Sequence, residues 1–129
     1  MSENPGSKSV LLVEDNELNQ KLMYFNMKKL GFKMTSVNNG LDAVEACKNE
    51  KYDFILMDLM MPVMDGYEAT KKIRNNESSR GTKSFIIGLT GNVYDSDRER
   101  CLEAGMDEFI SKPFDSDKFL QILHDKNLI

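Results

Sequence analysis

Short apolar runs separated by stretches with helical spacing recur five times along the chain, and this alternation constrains the fold more than any other feature. The runs lie at residues 10–13, 33–37, 53–57, 85–89 and 108–110. In the first, third and fourth the hydrophobicity is continuous, as expected of strands covered on both faces in a parallel sheet. Between the runs, residues 17–31, 41–50, 66–76, 94–104 and 116–126 each have room for a helix of about two to four turns. Repeated βα units with short connections predict right-handed crossovers and an open sheet with helices on both sides, a doubly wound (βα)5 three-layer α/β sandwich. Asp15 or Asn16 suits the start of the first helix, Gly31 and Gly105 suit left-handed helix ends, and Asp115 or Ser116 precedes the last helix. Residues 75–83, with Ser78, Ser79 and Gly81, read as a polar loop.

The 129 residues suffice for one domain, expected over 9–126, with 1–8 as a flexible lead and 127–129 as a short tail. Hydrophobic residues at 40% and charged residues at 29% suit a soluble globular chain. The net charge of −4 argues against direct nucleic-acid binding or attachment to an anionic membrane. No apolar run approaches the roughly 20 residues of a membrane span. Cys47 and Cys101 are far apart, with neither a CxxC pair nor a neighbouring His, so neither zinc nor a disulfide framework is signalled. The polar start, Met1-Ser2-Glu3-Asn4, is unlike a secretory leader, and the expected compartment is the cytoplasm, where the sequon at Asn76 is chance.

In open α/β sheets ligands gather beyond the carboxyl ends of the strands. Glu14 and Asp15 follow the first run, Asp58 the third, Thr90 the fourth and Lys112-Pro113 the fifth. Three carboxylates on one rim repel one another unless protonated or offset by a cation. Without His or Cys nearby, the pattern favours a hard ion such as Mg²⁺ on Asp15 and Asp58. Lys112 and the Thr90 hydroxyl could then meet phosphoryl oxygens, and Asp58 is the candidate nucleophile for an acyl phosphate. A flavodoxin-like electron carrier would need hydroxyls and amides where Glu14-Asp15 stands. A phosphatase of the haloacid dehalogenase type expects a second Asp where Met60 stands. GxGxxG and GxxxxGK[ST] are both missing.

Four segments occur in a telling order: Val13-Glu14-Asp15-Asn16 with Asn19-Gln20, Met57-Asp58-Leu59-Met60-Met61-Pro62-Val63-Met64-Asp65-Gly66, Leu89-Thr90-Gly91-Asn92, and Ser111-Lys112-Pro113-Phe114. With them, residues 9 to about 126 resemble the receiver domain of two-component response regulators, particularly receivers of hybrid histidine kinases. The resemblance implies a flavodoxin-like fold of strand order 2-1-3-4-5 that accepts a phosphoryl group on Asp58. The group would come from a phosphohistidine of a histidine kinase or a histidine phosphotransfer protein. Mg²⁺ would be held by Asp15, Asp58 and the backbone carbonyl of Met60, with Glu14 acting through water. Lys112 would contact the phosphoryl oxygens, Thr90 and Phe109 would form the switch pair, and the Lys112-Pro113 bond would be cis. Such a module catalyses only its own phosphorylation and dephosphorylation. It would be either a free-standing regulator or a receiver from a hybrid kinase, with the Val13 to Asn16 segment leaning to the latter, and phosphorylation-dependent dimerisation is one form its output could take. Glu14 stands where many relatives carry Asp. Met60 and Asn92 occupy positions that influence how water reaches the acyl phosphate, which implies an altered lifetime.

The remaining residues read more plainly. Asp65 before Gly66 is turn and helix-start chemistry, His124 an exposed helical residue, and Cys47 and Cys101 small packing residues. Met57 is core, and Met61 and Met64 are core or loop packing. In the first helix Met23, Met27 and Leu30 share one side, which leaves Leu18 and Phe25 either partly buried or as an apolar partner surface, and the resemblance implies that the phosphodonor docks there.

Overall fold

The structure, a computed structural model, describes residues 8–61, 64–91 and 95–129, with the backbone alone at 95–97. Strands and helices alternate throughout: β1 (Ser9–Val13), α1 (Glu17–Leu30), β2 (Lys33–Val37), α2 (Gly40–Asn49), β3 (Phe54–Asp58), α3 (Gly66–Arg80), β4 (Phe85–Thr90), α4 (Asp95–Ala104), β5 (Glu108–Ser111) and α5 (Ser116–Asp125). The strands form one sheet in the order β2-β1-β3-β4-β5, every neighbouring pair parallel.

Alternate residues of the central strands point to opposite faces, and both faces are covered, which is why these strands read as unbroken apolar runs. On one side Val10, Leu12, Phe54, Leu56, Ile87 and Leu89 meet Met23 and Met27 of α1 and Phe119 and Leu123 of α5. On the other side Leu11, Val13, Ile55, Met57 and Ile86 meet Ala43 and Val44 of α2, Ala69 and Ile73 of α3, and Cys101 and Ala104 of α4. The rings of Phe32, Phe54 and Phe119 meet edge to face with centroids 5.7–6.3 Å apart. Such pairs contribute about 0.5–1.5 kcal/mol each beyond their buried area. Leu128 and Ile129 pack against the same layer, and the Leu128 N–H donates to the carbonyl of Leu123 at 2.8 Å.

Asn16 caps α1 by accepting the Asn19 N–H at 2.9 Å, which leaves Asp15 uncommitted to capping. Asp65 caps α3, and Asp115 caps α5. Gly31 and Gly105 are left-handed at φ 91° and 107°.

The expected loop at 75–83 is a correction: α3 continues to Arg80 and ends at Gly81, left-handed at φ 69°. The polar residues of this stretch mark a solvent-facing helical surface. Arg74 and Glu77 bridge one helical turn at 2.6 Å, and the Gly81 N–H donates to the carbonyl of Glu77. Arg74 also donates to the carbonyls of Gly105 (2.8 Å) and Ser84 (2.7 Å) and to Asp107 (2.7 Å). Asp107 in turn accepts the Ile86 N–H, and Glu77 the Ser84 N–H. One guanidinium thus fastens α3 to the beginnings of β4 and β5.

Among the described residues, no helix is long and apolar enough to cross a membrane.

Candidate functional site

β1, β3, β4 and β5 run in the same direction, so the residues at and just beyond their ends share one rim. Asp58 and Thr90 are the last residues of β3 and β4, while Glu14 and Lys112 directly follow β1 and β5. The sheet buries Glu14, Asp58 and Thr90, whereas Asp15 faces solvent. Carboxylate oxygens of Glu14, Asp15 and Asp58 all lie within 4.8 Å of one another.

Asp58 is 2% exposed, and its Oδ1 accepts from Lys112 Nζ at 3.1 Å and from the Met60 N–H at 3.2 Å. Glu14 Oε1 accepts the Asn16 N–H (3.1 Å) and Asn19 Nδ2 (3.4 Å). Gln20 Nε2 donates to the Glu14 carbonyl at 2.6 Å and to Asn38 at 2.8 Å, fixing the turn that carries the acidic pair. Burial raises the Glu14 carboxyl above the ordinary glutamate range and the charge of Asp58 adds to the shift, while the bonds from Asn16 and Asn19 and the charge of Lys112 oppose it. Three carboxylates beside one ammonium leave a negative excess. The side chains of this cluster offer only carboxylate oxygens, and such a set fits a hard divalent cation that keeps some of its water.

The frame around the rim is closed by backbone bonds. The Leu59 N–H reaches the carbonyl of Leu89, the Gly66 N–H that of Leu59, and the Lys112 N–H that of Thr90 at 2.6 Å. The Lys112-Pro113 peptide is cis, as the resemblance implies. Gly66 has an ordinary φ, so its role is spatial: a Cβ there would stand 2.5 Å from the carbonyl oxygen of Asp58. Beyond Thr90, Gly91 is exposed and uncrowded, while Asn92 lies outside the described residues, as do Pro62 and Val63.

Phe109 pairs in register with Gly88, two residues before Thr90, so Phe109 and Thr90 face the same side of the sheet. Phe109 is partly buried, and the guanidinium of Arg98 stands 5.8 Å from its ring centroid. Leu18 and Phe25 are 65% and 70% exposed on α1, and Met23 and Met27 are buried beneath. Sequence reasoning missed Leu22, 55% exposed, although its spacing from Leu18 and Phe25 is that of one helix face. Leu22, Met23, Asn26, Pro113 and Phe114 line a groove of about 560 Å³ that reaches Glu14 and Lys112. Leu22 therefore joins this groove to the exposed face of α1. His124 is exposed, Cys101 is buried, and Cys47 is partly buried, as expected of residues outside the site.

A family model described as the response regulator receiver domain matches residues 10–124. Histidine protein kinase 1 of Candida albicans is 40% identical over 122 residues, covering 88% of this chain and 5% of its own length. The chain likewise spans 15% or less of six further histidine kinases to which it is similar. Among solved structures, the receiver domain of the sensor histidine kinase PA1611 from Pseudomonas aeruginosa has a magnesium ion coordinated in its active site cleft. It is similar with a TM-score of 0.81 and 42% identity, over 92% of this chain and 95% of that one. The Saccharomyces cerevisiae phosphotransfer protein Ypd1 co-crystallised with the receiver domain of its downstream response regulator Ssk1 gives a TM-score of 0.81 and 31% identity, over 92% and 85% of the two chains.

Proposed function

Because the chain belongs to the response regulator receiver domain family, we propose that it is a phosphorelay module whose Asp58 takes a phosphoryl group from a phosphohistidine. The observation that carries this reading is the buried Asp58 at the end of the central strand, flanked by Glu14 and Asp15 on one side and Lys112 at 3.1 Å on the other. A carboxylate oxygen of Asp58 attacks phosphorus, the P–N bond to the donor imidazole breaks, and the imidazole leaves with the bonding pair. The products are an acyl phosphate on Asp58 and a neutral donor histidine once its nitrogen is protonated. Lys112 moves from Asp58 to a phosphoryl oxygen, where its ammonium offsets the added charge. Asp15, Asp58 and the Met60 carbonyl would hold Mg²⁺, with Glu14 acting through water; the bound ion supplies charge neutralisation on the phosphoryl oxygens.

The Thr90 hydroxyl turns toward the phosphoryl group and Phe109 follows it inward, parting from Arg98 and reshaping the surface of α4 and β5. Leu18, Leu22 and Phe25 receive the helical face of the phosphodonor, a histidine phosphotransfer protein or a histidine kinase. The similarity to histidine kinases and to the receiver domain of one supports a place in a hybrid kinase rather than a free-standing regulator. The module turns over no substrate beyond its own phosphoryl group.

The deciding experiment incubates the chain with Mg²⁺ and a small phosphodonor and looks for one acid-stable, base-labile phosphoryl adduct. Asp58→Asn should abolish it; an adduct that persists in that variant refutes the assignment.

A further inference from the structure

Met60 is, among the described methionines, the one that stands in solvent. It is 79% exposed, whereas Met23, Met27, Met57 and Met106 are buried and Met34, Met61 and Met64 are partly covered. Its backbone N–H donates to Asp58 Oδ1, so its side chain leaves the chain at the mouth of the pocket. An acyl phosphate formed on Asp58 would meet water there. Among the described residues, the most oxidisable exposed side chain thus sits beside the reacting carboxylate.

We propose that Met60 is a peroxide-modification site whose oxidation shortens the lifetime of the phosphorylated state. The inference rests on Asp58 being the phosphoacceptor. Hydrogen peroxide transfers one oxygen atom to Met60 Sδ, two electrons pass from sulfur into the breaking O–O bond, and water is the second product. The thioether is a weak acceptor on a flexible apolar chain, whereas the sulfoxide carries a strongly polar oxygen. Beside the acyl phosphate, that oxygen can hold and orient a water for attack on phosphorus, returning Asp58 as a free carboxylate with release of inorganic phosphate. The thiols do not compete for the oxidant. Cys101 is buried, and burial pushes the Cys47 thiol up to about 11, so its reactive thiolate is scarce at neutral pH. Methionine sulfoxide reductases would restore the thioether, which makes the effect reversible.

The test treats the full chain with limiting hydrogen peroxide and maps its peptides. The gain of one oxygen should appear at Met60 ahead of Met34, Met61 and Met64. Oxidised and untreated protein are then phosphorylated with Mg²⁺ and a small phosphodonor, and decay of the acyl phosphate is followed after the donor is removed. The same pair of measurements is made on Met60→Leu, with each protein compared to its own untreated form. Several-fold faster decay of the oxidised natural chain, its reversal by reductase, and no response in Met60→Leu are the expected results. Oxygen landing first on Met34, Met61 or Met64, or an equal change in both proteins, overturns the proposal. Failure of untreated protein to form any Asp58 adduct overturns the phosphoacceptor reading and the lifetime role with it, and the peptide map decides selectivity separately.

Discussion

Replacing Glu14 by Gln should make the metal-free protein more stable, although it removes a residue of the site. Glu14 and Asp58 are 4% and 2% exposed, and their carboxylate oxygens lie within 4.8 Å. Two unit charges at that separation repel by about 0.9 kcal/mol in bulk water and about 3.5 kcal/mol at an effective dielectric constant of about 20. Lys112, 3.1 Å from Asp58, offsets part of this. The amide keeps the Oε1 acceptor that serves Asn16 and Asn19, so few hydrogen bonds are lost. A gain of about 1–2 kcal/mol follows, equivalent to about 4–7 °C in Tm for a domain of this size. The sign reverses with metal: Mg²⁺ should raise the Tm of the natural chain more than that of Glu14→Gln.

The pH dependence distinguishes this cause from better packing. The folded-state pKa of Glu14 is raised, so folding keeps a proton that the unfolded chain loses near its ordinary value of 4.5. Stability from this group is therefore fully present below that value and is lost as pH rises toward the raised folded value, above which the whole penalty applies. Thermal unfolding in chelator, recorded for both proteins across this window and at neutral pH, measures the effect. A lower Tm for Glu14→Gln, or a difference between the two proteins that does not vary with pH, would refute the reasoning.

Three further outcomes are expected. Gly66→Ala places a Cβ against the carbonyl of Asp58 and should cost about 1–3 kcal/mol in denaturant unfolding, with slower formation of the Asp58 adduct. Arg74→Ala takes the guanidinium from Glu77 and from Asp107, which keeps only Lys83 at 3.8 Å as an ionic partner, and should cost about 2–3 kcal/mol, yet Asp58, at the other end of the strands, should still be phosphorylated by a small donor. Phe25→Ala should slow transfer from a phosphotransfer protein about tenfold, the loss of about 1.4 kcal/mol of docking, and leave transfer from a small donor unchanged.

The central strands were legible because burial on both faces writes itself as an unbroken apolar run, and a parallel sheet with known crossovers then places Glu14, Asp58, Thr90 and Lys112 on one rim without further information. The second half of α3 was not, because Asn75, Asn76, Ser78 and Ser79 have the composition of a loop; what holds them helical is the Arg74–Glu77 bridge and the Gly81 cap. The Arg74 clamp was invisible because Ser84, Gly105 and Asp107 approach it only through the fold. Leu22 was readable from its spacing with Leu18 and Phe25 but went unnoticed. Gly66 was correctly placed at a turn into a helix, yet its reason is room for the Asp58 carbonyl rather than backbone freedom.

The sheet divides the apolar interior into two layers, one supporting α1 and α5, the other supporting α2, α3 and α4. Substitutions in the two layers have few shared neighbours and should add nearly independently. The surface proposed to meet a phosphodonor rests on the first layer, while α4 and Phe109 rest on the second. After gene duplication, one copy can therefore drift toward a new donor and another toward a new listener, each repacking its own half of the interior while the other half stays as inherited.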